Sequence, residues 1–389
     1  MSGICPNRLE RLAALLRDHV ERGEIAGAVA LLARQDAVYV CAEGSLALGQ
    51  SGKMERDTIF RIASMTKPVA AVAAMMLVEE TKLRLDDPVE RFLPELANRR
   101  VLRRMDGPLD DTVPANRPIT LRDILTMRCG LGMVSTQSGL PIQKAFAELG
   151  VSAGPNPSPF SPDEMMRRYA TLPLIHQPGE RWLYHNGFDL LSVLIARACR
   201  MKLEDFLSER IFEPLGMWDT AYRVPDAKRS RLASCYVQDK DGLVPFGDAD
   251  ADSFASAATG LYSTADDYLA FGQMMLNFGL YGGARLLARP TVELMVMDHI
   301  TEAQKAASQF FPGFWDNCGY GFGLSVTTQR TTTASVPGTF GWDGGFGTAW
   351  RSDPQEGFVT ILLLQRLFDE TVIKLHGDFI TLAYQALND

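Results

Sequence analysis

The sequence has no apolar run long enough to cross a bilayer. The longest, Val69–Val78, is about half of the roughly 20 residues that a spanning helix needs. It also has no cluster of lysine and arginine long enough to follow a phosphate backbone, and its net charge is −8, which argues against a nucleic-acid partner. The six cysteines, Cys5, Cys41, Cys129, Cys199, Cys235 and Cys318, are scattered with no C-x-x-C pair. They read as reduced thiols rather than as a disulfide framework or a zinc site. Histidine is scarce as well: His19, His176, His185, His299 and His376 show no metal-ligand spacing. There is no G-x-S-x-G elbow and no phosphate-binding glycine loop in a strand–helix context, so neither a metal nor a nucleotide cofactor is expected. The first 25 residues lack a basic start followed by an apolar stretch and a cleavage site, which predicts a protein kept in the cytoplasm and free of membrane.

With 389 residues, 46% of them hydrophobic, the chain is long enough to bury a large core, and one module with two lobes is expected. Leu9, Leu12, Leu16 and Val20 recur at helical spacing. The stretches 26–34 and 37–43, separated by Gln35-Asp36, look like a strand hairpin. FRIASMTKPVAAVAAMMLVEE is too apolar for a surface helix, and Pro68 fits its first turn, so Ser64 is expected at the start of a buried helix. Helical signals dominate 86–225, broken by polar stretches at 100–118 and 135–162 of the kind that form lids or binding loops. Helical pattern returns over 263–297. Strands are expected at 321–327, 335–342, 345–352 and 358–365, and a closing helix at 371–387. The resulting α/β (α+β) architecture is an antiparallel sheet built from both ends of the chain and flanked by helices. A mainly helical lobe (about 86–225) is inserted into an α/β lobe (about 1–85 and 226–389), with a cleft between them.

Three short motifs carry chemistry. Ser64-Met65-Thr66-Lys67 places a hydroxyl and an amine on one helical face, where a lysine of lowered pKa can activate the serine. The helix start also offers a free N–H to an oxyanion. Taken alone, S-x-x-K arises by chance roughly once in a chain of this size. Tyr184-His185-Asn186 supplies a phenol for proton transfer and an amide able to hold the lysine, with His185 read as a neighbour rather than a base. Phe340-Gly341-Trp342-Asp343-Gly344-Gly345 lets a carbonyl approach a strand end, where the Gly345 N–H is able to complete an oxyanion hole.

In this order and context, the motifs resemble those of serine β-lactamases and penicillin-binding proteins, and among them the class C-like group and its family VIII carboxylesterases. PANRPITLRDILTMRCGL, PGERWLYHNGFDLLSVLIARACRMKLEDFLSERIFEPLGMWDT and GLYSTADDYLAFGQMMLNFGLYGGARLL look like blocks of the same family, and the likeness runs from about residue 8 to the C-terminus. The resemblance implies that Ser64 attacks the carbonyl, that Lys67 and Tyr184 share proton transfer, and that the Ser64 and Gly345 N–H groups bind the oxyanion. It implies that Asn186 steadies Lys67. Whether Lys67 or Tyr184 takes the serine proton is left open by the sequence.

Two departures bear on substrate. Trp342-Asp343-Gly344 stands where such lactamases carry Lys-Thr-Gly, so the cation for a penicillin carboxylate is replaced by an indole, and Asp343 is expected to repel an anion. Met127-Arg128-Cys129 stands where many relatives have His-Thr-Ser. The expected partner is a small-molecule ester with a short acyl chain. A β-lactamase or D-amino-acid peptidase, an acyltransferase, and an inactive acyl-binding scaffold are the alternatives.

Overall fold

In the computed structural model, which describes residues 3–247 and 254–388, strand β1 (Gly27–Arg34) is buried along its whole length. Its side chains alternate, so Ala28, Ala30 and Leu32 enter one apolar cluster while Val29, Leu31 and Ala33 enter another. A strand buried on both faces needs cover on both sides. Helix α1 (Pro6–Glu21), with Leu9, Leu12 and Leu16 on its inner stripe, covers the first side together with the C-terminal helix, α8 (Glu370–Gln385). Helix α7 (Ala265–Leu276) covers the other.

The sheet has seven antiparallel strands in the order β3-β4-β5-β6-β7-β1-β2. β2 is Ala37–Gly44, β3 Cys318–Tyr320, β4 Ser325–Thr327, β5 Phe340–Gly344, β6 Thr348–Asp353 and β7 Phe358–Leu363. β1 pairs with β7 from Val29↔Leu363 to Arg34↔Phe358, so the two ends of the chain share one sheet. The expected strand over 335–342 is formed only from Phe340 onward, and of 321–327 only Ser325–Thr327 is a strand (β4), the residues before it making the turn through Gly323 that joins it to β3.

Helix α2 (Thr66–Glu79) has nearly every side chain buried, and its alanines let neighbouring elements approach closely. It packs on α6 (Asn186–Cys199), the central helix of the inserted segment, beside α3 (Leu121–Leu125), α4 (Pro141–Glu148) and α5 (Pro162–Thr171). One apolar cluster continues from β1 through α2 to α6. The polar stretch 100–118 is not only loop: Arg100–Leu102 and Thr112–Pro114 pair as a hairpin. The stretch 135–162 contains α4. The helical pattern over 263–297 is interrupted after Leu276, where Phe278 and Gly279 take positive φ and a hairpin turns through Gly282-Gly283 before a second helix at Arg289–Met295.

Candidate active site

Ser64 lies on a single 3-10 turn, Ala63–Met65, that feeds directly into α2. Ala63 has φ of 44°, an uncommon conformation for a residue with a Cβ, and it is held from several directions. The Thr66 hydroxyl donates to the Ala63 carbonyl (2.6 Å) and accepts from the Leu261 N–H (3.3 Å). The Tyr268 hydroxyl donates to the Met65 carbonyl at 2.7 Å. Gly344 of β5 lies so close to the turn that a Cβ there would come within 2.2 Å of the Ile62 carbonyl. The strand end and the nucleophile turn are thereby pressed together.

One helical turn after Ser64, Lys67 is fully buried, and its Nζ donates to Ser64 Oγ at 2.9 Å and to the Ala258 carbonyl at 2.6 Å. The same nitrogen stands 4.6 Å from the centre of the Tyr184 ring. Burial lowers the Lys67 pKa from its ordinary 10.5 to about 7, with Asp189 pulling the other way.

Tyr184 is fixed by its backbone: Leu183 N–H donates to the Met127 carbonyl, and Met133 N–H to the Tyr184 carbonyl, each at 2.8 Å. Met127-Arg128-Cys129 therefore serves as the frame behind Tyr184. The next residue, His185, has φ of 84° and ψ of −71°, and the Asn186 N–H reaches the Tyr184 carbonyl at 3.3 Å. That is a three-residue γ-turn of the rarer, strained hand, and it redirects the chain into α6. The Tyr184 hydroxyl accepts from Trp342 Nε1 at 2.9 Å. Burial pushes the Tyr184 phenol well above its ordinary range, against the opposing pull of hydrogen bonds with Ser64 and Trp342. Burial also lowers the His185 pKa, which keeps the imidazole neutral.

Ser64, Lys67, Tyr184 and Trp342 are thus brought together. Trp342 is buried in an aromatic group with Tyr184, Tyr320 and Phe314. Phe310 packs on Tyr184 at 5.1 Å, and Ser135 Oγ donates to the Phe310 carbonyl, so the stretches 135–162 and 310–315 meet at this wall. Gly345 is in the β5–β6 turn rather than on a strand; neither its N–H nor that of Ser64 has a partner among the described residues. A cleft of about 390 Å3 opens beside Ala63, walled by Arg61, Pro155, Tyr222, Phe254, Thr259 and Phe346.

Two residues sit differently from expectation. The Asn186 side-chain amide donates to the Val151 carbonyl (2.9 Å) and the Tyr169 hydroxyl (2.7 Å), whereas the Lys67 ammonium is held by Ser64 and the Ala258 carbonyl. Asp343, one residue beyond Trp342 on the pleat, points to the opposite face and receives both Arg351 nitrogens, Nη1 at 2.6 Å and Nη2 at 2.9 Å. The expected repulsion of an anion is cancelled by that bidentate pair. Sequence reasoning overlooked Asp189, buried in α6, and the turn carrying Ala258. An acid within the apolar run Phe188-Asp189-Leu190-Leu191 was the available signal.

Against known families, a model described as Beta-lactamase matches residues 12–385. The chain belongs to the beta-lactamase family. An uncharacterized protein of Mycobacterium tuberculosis is 38% identical over 370 residues, covering 92% of this chain and 90% of that protein. Esterase EstB of Burkholderia gladioli is 30% identical over 385 residues, covering 92% and 91%. Among solved structures, EstCE1, described as a hydrolase with promiscuous acyltransferase activity, superposes with a TM-score of 0.81 at 25% identity over 98% of both chains. The β-lactamase-like fold expected from the motifs is the fold observed, and this serine hydrolase family includes esterase relatives of the chain. No helix among the described residues is long and apolar enough to cross a membrane.

Proposed function

We propose that the protein hydrolyses small carboxylic esters with short acyl chains through an acyl-enzyme on Ser64. The observation that carries this reading is Lys67 Nζ at 2.9 Å from Ser64 Oγ, in a buried position that brings the lysine pKa to about 7. Near neutral pH about half of the lysine is uncharged and able to take the serine proton as Oγ bonds to the carbonyl carbon. The oxyanion is received by the N–H groups of Ser64 and Gly345. Collapse of the tetrahedral adduct breaks the bond to the alcohol oxygen, which takes a proton from the Tyr184 hydroxyl, and Lys67 returns its proton to the tyrosine. Water repeats the sequence on the acyl-enzyme and releases the acid. Tyr184 suits the acid role because burial holds its phenol protonated.

A neutral substrate suits the site, since an indole stands where a carboxylate-binding cation would be and the Asp343 charge is matched by Arg351. A second reading, acyl transfer to an alcohol, is favoured by the likeness to EstCE1, whose description includes that activity. The same residues support both outcomes and differ only in the acceptor.

The test is a panel of p-nitrophenyl esters of increasing chain length beside a chromogenic cephalosporin, with and without excess alcohol, for wild type and Ser64→Ala. A serine-reactive phosphonate followed by mass spectrometry locates the nucleophile. Loss of ester turnover in Ser64→Ala and a label on Ser64 are expected. A label on another serine, or a Ser64→Ala enzyme that keeps more than roughly a few per cent of kcat, overturns the proposal.

A further inference from the structure

We infer that Asp189 is a positioning residue for the Ser64–Lys67 pair, acting through the 256–259 turn that holds the Lys67 ammonium group. The inference rests on the reading of Ser64 and Lys67 given above, and it assigns work to a residue that touches neither substrate nor nucleophile. Asp189 is buried in α6, three residues after Asn186 and three before Ser192. These residues lie on one helical face, and all three side chains hold backbone of other segments, directly or through one hydroxyl. Asn186 holds the Val151 carbonyl, Ser192 Oγ accepts from the Ala257 N–H at 2.7 Å, and Asp189 Oδ1 accepts from Ser256 Oγ at 2.8 Å.

The path to the nucleophile is short. Ser256 Oγ accepts from the Ala258 N–H at 2.9 Å, so its own proton is directed at Asp189. The carbonyl of the same Ala258 accepts from Lys67 Nζ, which donates to Ser64. The second carboxylate oxygen accepts from the Tyr169 hydroxyl at 3.0 Å, whose oxygen already accepts from Asn186. With both oxygens accepting, the carboxylate has the partners of an ionised group. A buried charge so satisfied anchors what it binds, and here it anchors the peptide that fixes where the lysine nitrogen stands.

The titratable groups facing this network come from several elements. Burial raises the Asp189 pKa above the usual carboxylate range and lowers that of Lys67 on α2; the Ser256 and Tyr169 hydroxyls and Lys67 pull the Asp189 pKa back down, and Asp189 in turn favours the Lys67 ammonium. His185 Nε2 is 4.0 Å from Asp189 Oδ2 and is kept neutral by burial. Tyr169 on α5 donates to the carboxylate. Cys129, beyond α3, is a buried thiol with its pKa raised to about 12. Tyr184 presents its ring face to Lys67.

The test compares wild type, Asp189→Asn and Ser256→Ala by kcat and kcat/KM against pH, by the rate of phosphonate labelling at Ser64, and by circular dichroism and thermal unfolding. Asp189→Asn is expected to lower kcat and the labelling rate roughly ten- to hundredfold, the worth of a hydrogen bond to a charged group. Its acidic limb should move to lower pH, because the carboxylate that favours protonated Lys67 is gone. Ser256→Ala breaks the path without removing charge, so it should lower both rates while its acidic limb stays in place. If folded Asp189→Asn turns over at the wild-type rate with an unmoved limb, losing only thermal stability, Asp189 is structural and the inference fails. If Asp189→Asn does not fold, Ser256→Ala decides alone: a wild-type rate per folded molecule overturns the inference. A wild-type enzyme unlabelled at Ser64 refutes the reading of the nucleophile instead, which separates the two failures.

Discussion

Raising the pH from about 6 to about 8 should increase kcat/KM about tenfold and leave it flat above, because the neutral fraction of a group with pKa of about 7 climbs from about a tenth to about nine tenths. A lysine titrating at its ordinary 10.5 would give a rate still rising tenfold per pH unit at about pH 9. The same burial fixes a stability effect of definite sign. A fall from 10.5 to about 7 corresponds to about 5 kcal/mol, at about 1.4 kcal/mol per tenfold. Between those values the unfolded chain binds a proton that the folded protein lacks, so stability rises with pH across that window. The penalty has its full size below about pH 7. Lys67→Met keeps the length of the side chain and removes the charge. It also leaves the Ala258 carbonyl without its partner, which costs about 1–3 kcal/mol. The inactive Lys67→Met variant should therefore be more stable than wild type by about 2–4 kcal/mol near pH 6.5, with the advantage shrinking as the pH approaches about 10. Urea unfolding at about pH 6.5 and 9.5 measures both quantities. A variant less stable than wild type at the lower pH, or a difference that does not change with pH, would refute the assignment of a strained, largely desolvated lysine.

Tyr184→Phe should lower kcat about 10²–10⁴-fold, the usual worth of a positioned proton donor, with KM little changed; steady-state kinetics showing a near-normal kcat would leave Lys67 as the sole proton carrier. Trp342→Lys should raise kcat/KM for carboxylate-bearing β-lactams roughly ten- to hundredfold, as expected for a charge-assisted hydrogen bond, and lower it for neutral esters. No companion change at Asp343 is needed, since Arg351 holds that carboxylate on the other face; an unchanged lactam-to-ester ratio places selectivity elsewhere. Gly344→Ala introduces a Cβ within 2.2 Å of the Ile62 carbonyl and should cost about 1–3 kcal/mol in calorimetry along with most of the activity. Wild-type kcat in that variant would show that the strand end does not position the nucleophile turn.

The parts of this site legible in the sequence are those set by local geometry. Ser64 and Lys67 meet because residues three apart share a helical face, and an apolar segment following them dictates a buried helix. The contact between Trp342 and Tyr184 joins residues 158 positions apart, and no spacing rule encodes it. Asn186 was expected to reach Lys67, yet its amide is taken by Val151, which belongs to a stretch that reads as polar loop, and by Tyr169 of α5. Asp343 is a miss of another sort. The period of two along a strand already sends it away from Trp342, and only its partner Arg351, on the neighbouring strand, had to come from the structure. Helix ends were hidden where residues without a glycine's freedom take positive φ, as at Phe278 and His185. Such conformations are imposed by tertiary packing rather than by local preference.

The pairing of β1 with β7 also sets a timetable for synthesis. Arg34 leaves the ribosome more than 320 residues before its partner Phe358. At roughly 5–20 residues per second, the hydrophobic first hairpin waits on the order of 15–65 s for the strand that covers its edge. Throughout that interval β1 has a sheet edge without a neighbour and the apolar surface that α7 and α8 will later cover, a template for pairing with another nascent chain. α2 is made early but waits for α7 and β5, since the turn bearing Ser64 is held by Tyr268 and Gly344. A chain stopped short of β5 thus holds every residue of its first motif without the surroundings that make the serine reactive. Expression should accordingly respond to slower elongation and to chaperones that shield β1, more than to changes in the helical segment between.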